Sequence, residues 1–178
     1  MLKAERVSGD EKTLTRALRW SLVLLVLATA VGCDQATKRL ARQSLADAPP
    51  ISFLAGALRL EYAENAGGFL SLGEDLPGRV RFFLFIPLVG VVLAGSLALA
   101  PRSTSALQLW GLSLLAGGGA GNLIDRIAHD GRVVDFINLG LGPLRTGVFN
   151  LADIAVTTGV VLLAFAGLRR PLPADRSA

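Results

Sequence analysis

The 178-residue sequence predicts an all-α membrane protein of a single domain (1–178), with four transmembrane helices and a small β-rich cradle beside a second loop on one face of the bilayer. Three observations lead there. Hydrophobic residues make up 52% of the chain against 18% charged, and the mean hydropathy is +0.52, too apolar for an ordinary soluble domain. The apolar residues gather in four blocks, over 17–33, 82–100, 105–124 and 148–168. The two long connections, between blocks one and two and between blocks three and four, fall on the same side of the membrane if every block crosses once.

The later three blocks have the roughly 20 residues needed to cross a bilayer. The first is marginal, because only 14 residues separate Arg19 from Asp34. It spans if Arg19 snorkels to the interface or if the helix continues past Asp34. A cleaved leader ending at Val31-Gly32-Cys33 is the competing reading; Ala30 and the three later blocks argue against it. Between blocks one and two, LRLEY at 58–62 alternates apolar and polar residues with the period of a half-buried strand. AENAGGFLSLGED then reads as a turn and a second short strand. Between blocks three and four, RVVDFINLG is β-prone and GLGPLRTG is a loop punctuated by glycine and proline. Residues 101–104 join blocks two and three tightly. Disordered tails are expected over 1–14 and 170–178.

The net charge is +4, but lysine and arginine are scattered among the apolar blocks and form no stripe for nucleic acid. Attraction to anionic lipid headgroups is the expected consequence. One cysteine, Cys33, excludes an internal disulfide, and the single histidine, His129, excludes multi-histidine metal sites. No metal or cofactor is expected. Lysine and arginine divide nine to nine between the two sides, and the five in the N-terminal tail favour that tail on the inside.

Ionisable residues at the ends of spans are functional candidates, because burying them in lipid is costly. Asp34 and Lys38, four apart, fit an ion pair on one helix face. Asn65 and Gly67, in NAGGF, fit either a tight turn or an amide that holds an extended peptide. In GGGAGNLIDRI, Gly117 and Gly121 permit close helix approach, while Asn122, Asp125 and Arg126 share a face. A polar packing network is the expected role of Asp125. Asn150 and Asp153 fit a helix cap with its carboxylate at the third position. Asp135, among apolar neighbours in VVDFI, has no such structural explanation.

Two carboxylates held close together share a proton. One can then act as general base on water while the other, protonated, donates to a carbonyl. Asp135 and Asp153 are candidates for such a dyad; a proton relay in a small transporter, or an assembly protein using the aspartates for packing, would use the same residues. Serine chemistry lacks a visible base, since Ser96 lies mid-span.

DQATK, NAGGF, GNLIDR, VVDFIN and FNLAD, in that order between four apolar blocks, resemble the lipoprotein signal peptidase (signal peptidase II) family over roughly residues 18–168. The resemblance implies an aspartic endopeptidase of the bacterial inner membrane, with both termini cytoplasmic and the cradle, loop and active site at the periplasmic face. It implies a diacylglyceryl prolipoprotein as substrate, cut on the N-terminal side of the lipidated cysteine, and globomycin-type inhibitors. It assigns catalysis to Asp135 and Asp153, and substrate binding or site support to Asp34, Lys38, Asn65, Gly67, Asn122, Arg126 and Asn150. A monomer is the default. NAGGF is one residue shorter than the family's commoner Asn-x-Gly-Ala-Ala-Phe.

Overall fold

The computed structural model describes residues 2–67, 73 and 75–168, with side chains described from Thr15 onward. Helix α1 runs over Leu2–Leu45, α2 over Gly78–Leu99, α3 over Ala106–Ala128 and α4 over Leu151–Leu168. Strands β1 (Ile51–Phe53), β2 (Leu58–Asn65), β3 (Val133–Leu141) and β4 (Leu144–Arg145) form an antiparallel sheet in that order. Among the described residues, three helical segments are long and apolar enough to cross a membrane: Thr15–Leu45, Gly78–Arg102 and Leu151–Leu168.

The first helix settles the question left by Asp34: it continues eleven residues beyond, to Leu45. Arg19, at the other end of that span, donates to the Ser103 carbonyl at 2.9 Å, tying α1 to the α2–α3 connection. The helical backbone begins at Leu2, where a tail without structure is expected; the tail over 170–178 lies outside the described residues, as does most of the second strand expected after Asn65. Helix α4 starts at Leu151 rather than at 148, because Asn150 caps it. GLGPLRTG forms a hairpin containing β4 rather than an irregular loop, its turn made possible by Gly142 at φ +59°.

Helix α3 is the centre of the bundle, and its glycines explain both its position and its lower hydropathy. A Cβ on Gly117 would lie 2.7 Å from Ala30 Cβ on α1, and one on Gly121 would lie 2.6 Å from Asp34 Oδ2. Gly118 packs against the Ala152 carbonyl of α4 in the same way. Removing side chains lets the backbones approach closely, which is how helices associate where lipid supplies no hydrophobic drive.

The C-terminal end of α1 carries the sheet. Ala41 and Leu45 form a buried cluster with Val134 and Phe136 of β3, against which Leu60, Tyr62, Ile137 and Leu151 pack. Strand β3 pairs with β2 from Leu139↔Leu58 to Val133↔Asn65, with an irregularity between Leu60 and Ala63. Asp135 stands opposite Ala63 on that ladder. The strand therefore delivers Asp135 to the junction of α1, α3 and α4.

Candidate active site

A continuous polar network fills that junction. At its base, Lys38 Nζ lies 2.8 Å from Asp34 Oδ2 and 3.2 Å from Asp125 Oδ2, and donates to Asn122 Oδ1 at 2.9 Å. All three charged side chains are buried. Asp34 Oδ1 accepts the backbone N–H of Ala152 at 3.0 Å, so α1 caps one of the open donors in the first turn of α4. Asp125 Oδ2 accepts the N–H of Val134 at 3.0 Å, anchoring β3 one residue before Asp135. A buried charge needs this degree of pairing to be tolerated.

Asp135 is 2% exposed and receives an amide on each oxygen: Asn150 Nδ2 at 2.6 Å on Oδ1, and Asn65 Nδ2 at 3.0 Å on Oδ2. Asn65 is itself fixed by the N–H of Gly67, which donates to Asn65 Oδ1 at 2.9 Å. Asp153 lies across Asn150. Its Oδ1 accepts from Asn122 Nδ2 at 2.9 Å, and its Oδ2 from the Asn150 N–H at 3.2 Å. In return the Asp153 N–H donates to Asn150 Oδ1 at 3.0 Å. This reciprocal cap is the structural role the spacing allows for Asn150 and Asp153. It also locks the Asn150 amide so that its Nδ2 must face Asp135.

The two carboxylates differ in surroundings. Asp153 opens onto a cavity of about 370 Å³ shared with Leu139, Thr146, Phe149 and Thr157. Asp135 is enclosed. Burial pushes its carboxyl up to about 6, the charge of Asp153 adds to the rise, and the Asn65 and Asn150 hydrogen bonds oppose it. Arg126 faces the charges of Asp153, Asp135 and Asp125. It donates to the Gly67 carbonyl at 2.9 Å, with its guanidinium 5.9 Å above the Phe85 ring of α2. Every position expected at the site, Asp34, Lys38, Asn65, Gly67, Asn122, Arg126, Asp135, Asn150 and Asp153, thus belongs to one connected set. Gly68 and Phe69 lie outside the described residues. Among the described residues no three His, Cys, Asp or Glu are grouped as metal ligands would be.

The model of the signal peptidase (SPase) II family matches residues 25–169. The chain belongs to the signal peptidase II family. A lipoprotein signal peptidase from Caldicellulosiruptor bescii is 39% identical over 142 residues, covering 80% of this chain and 87% of the relative. One from Pelotomaculum thermopropionicum is 35% identical over 146 residues, covering 81% and 90%. The fold is similar to that of a bacterial membrane enzyme solved by the in meso method, with a TM-score of 0.72 at 24% identity over 87% of this chain and 95% of that one.

Two further residues belong to the network. Gln35 Nε2 donates to Asp125 Oδ1 at 2.9 Å and to the Gly121 carbonyl at 3.2 Å, bridging α1 to α3. Its place beside Asp34 in DQATK is the available signal. Phe85, under Arg126, has none, since α2 is apolar around its whole circumference. Asp125 takes the packing role expected of it, joined to Lys38, Gln35 and the backbone of β3.

Proposed function

We propose that this signal peptidase II is an aspartic endopeptidase that removes signal peptides from diacylglyceryl-modified prolipoproteins, cutting on the N-terminal side of the lipidated cysteine, with Asp135 and Asp153 as its catalytic pair. The observation that carries the reading is Asn150, whose side chain and backbone donate to both carboxylates. Burial raises the Asp135 carboxyl and the nearby charge of Asp153 raises it further, which suits an acid that keeps a proton beside an ionised partner. Asp135, enclosed and raised to about 6, is the member that holds the proton and donates it to the scissile carbonyl. Asp153, facing the cavity, takes the proton of the attacking water. Lys38 and Arg126 bring two positive charges to four carboxylates in the network, so one proton on the pair halves the uncompensated negative charge.

The same reading makes α3 a fourth span, lower in hydropathy because its glycines face other helices and not lipid. Four crossings put both termini on one side and the sheet with its site on the other, and the five basic residues before the first span favour the cytoplasmic side of the bacterial inner membrane for the termini. A scissile bond beside a lipid-tethered cysteine lies at the membrane–water boundary, and Asp153, within the first turn of α4, suits that depth. Family membership displaces the transporter and assembly-protein readings. The test is purified protein incubated with a diacylglyceryl prolipoprotein, with and without globomycin. Release of the signal peptide, blocked by globomycin and by Asp135→Asn, is expected; release that survives Asp135→Asn would overturn the dyad.

A further inference from the structure

Lys38 and Asp125 also border a second cavity, of about 260 Å³, which shares no lining residue with the cavity at Asp153. It lies between α1 and the end of α3. Gln35, Lys38, Arg39 and Arg42 line it from α1, and Asp125 and His129 from α3 and its cap. Positions 35, 38, 39 and 42 follow at helical intervals of three and four, so α1 turns one face toward it.

The carboxylate in this cavity is already committed. Asp125 Oδ1 accepts from Gln35 at 2.9 Å, and its Oδ2 accepts the Val134 N–H at 3.0 Å and lies 3.2 Å from Lys38 Nζ. The arginines have no such match. Among the described residues neither Arg39 nor Arg42 forms an ion pair, and Arg39 has no hydrogen bond either. Glu64 feels the charge of Arg42, but it is held by Arg132 at 3.0 Å and by the Tyr62 hydroxyl at 2.8 Å.

His129 adds a third unmet donor. Arg42 Nη1 and His129 Nε2 are 2.8 Å apart. A guanidinium can only donate, so Nε2 is the acceptor and the ring proton sits on Nδ1. That Nδ1 is buried and has no partner among the described residues. A buried donor without an acceptor is costly, and such groups are few in folded proteins. The cavity is thus bordered by two unpaired guanidiniums and by a ring whose N–H lacks an acceptor.

Asp34 reaches the first turn of α4, and Arg39 and Arg42 lie about one and a half and two turns further along α1, toward the sheet. In the four-span placement this is the level of lipid headgroups and interfacial water. The guanidinium fork matches phosphate oxygens with two parallel N–H bonds.

We propose that the cavity between α1 and the end of α3 is a phosphate-binding site, with Arg39 and Arg42 as its principal donors. The phosphate comes either from an anionic phospholipid headgroup or from free phosphate. The site is separate from Asp135 and Asp153 and does not depend on the catalytic reading.

The test is isothermal titration calorimetry on the purified full chain in nonionic detergent, with thermal unfolding as a second readout. The probes are short-chain phosphatidylglycerol, the matching diacylglycerol, and inorganic phosphate. Saturable binding of a phosphate-bearing probe is expected, with a rise in Tm. The double variant Arg39→Gln/Arg42→Gln should weaken it roughly tenfold or more. Arg79→Gln, which removes an exposed arginine of α2, should change it by less than about twofold. Binding of phosphatidylglycerol alone assigns the site to the headgroup; binding of inorganic phosphate with the same arginine dependence assigns it to free phosphate. No saturable binding by either, binding indifferent to the double substitution, or diacylglycerol binding as well as phosphatidylglycerol overturns the site. Should the double variant fail to fold, Arg39→Gln alone carries the question, because Arg39 has no partner to lose. A loss of about threefold is expected there, and unchanged affinity overturns the proposal.

Discussion

Asn150 donates its side-chain N–H to Asp135 at 2.6 Å while its backbone N–H donates to Asp153 at 3.2 Å, so one capping residue orients both carboxylates. Its Oδ1 is occupied by the Asp153 N–H, which forbids the amide from turning over. Asn150→Asp keeps an oxygen for the cap but replaces the donor to Asp135 with a third acid. Turnover should fall by orders of magnitude, with substrate binding less affected. Steady-state cleavage at varied substrate concentration measures the split; a rate near normal would mean that the amide does not position the pair.

Asp135→Asn and Asp153→Asn should each abolish cleavage yet leave the protein abundant in the membrane. For Asp135 two effects oppose each other. Above about pH 6, where the acid ionises, removing a buried charge relieves the fold, while the new amide places an N–H against one of the two donors, Asn65 and Asn150, that hold the carboxyl group. Each effect is on the order of 1–3 kcal/mol. Quantifying membrane protein alongside turnover checks both halves.

The raised Asp135 carboxyl has a pH consequence for activity and another for stability. If Asp135 must carry the proton, kcat/KM should decline as pH rises through about 6. A carboxyl raised in the folded state binds its proton more tightly there than in the unfolded chain. Its stabilising contribution is present below the ordinary value of 3.8 and is lost as pH rises through about 6. Thermal unfolding of the wild type and Asp135→Asn across that interval should show a slope in the first that is reduced in the second.

Asp125→Asn should lower the amount of folded protein. It weakens the contact to Lys38 and the charge-assisted acceptance of the Val134 N–H, a loss of about 2–3 kcal/mol tempered by the pairing of Lys38 with Asp34. Whatever protein does fold should retain measurable turnover, since Asp125 anchors the strand and lies outside the proposed catalytic pair. Undiminished folding with complete loss of cleavage would move Asp125 into the catalytic set.

Gly121→Ala should be harmful and Gly95→Ala harmless, although both glycines lie in apolar helices. An added methyl at 121 meets Asp34 Oδ2 at 2.6 Å, whereas at 95 it meets nothing within 4 Å. Overpacking costs about 1–3 kcal/mol, and alanine in an open helical position gains up to about 1 kcal/mol over glycine. Unfolding temperatures of the two variants in detergent should move in opposite directions.

Much of this arrangement is legible in the amino-acid order because its determinants are local. Lys38 follows Asp34 by one helical turn, Asp153 follows Asn150 at capping distance, and LRLEY alternates as a strand must. What pairs these local pieces is not local. Nothing near Asp135 announces that its partners are Asn65 and Asn150, and Asp125 holding the Val134 N–H depends on how α3 ends against β3. The length of α1 was ambiguous for a related reason: Asp34 and Lys38 look like the end of an apolar segment. They are tolerated inside the helix because α3 and α4 supply their partners. The hairpin over 141–145 was hidden by glycine and proline residues that suit loop and turn alike.

Because α1 runs unbroken from the bilayer to Leu45, its tilt and the geometry of the site are mechanically linked. Asp34 grips the start of α4, Lys38 and Gln35 grip α3, and Ala41 and Leu45 bear on the strand that holds Asp135. A change in the lean of this rod would shift all three grips together. One continuous helix thus holds the start of α4, the face of α3 and the strand bearing Asp135 in a fixed relation.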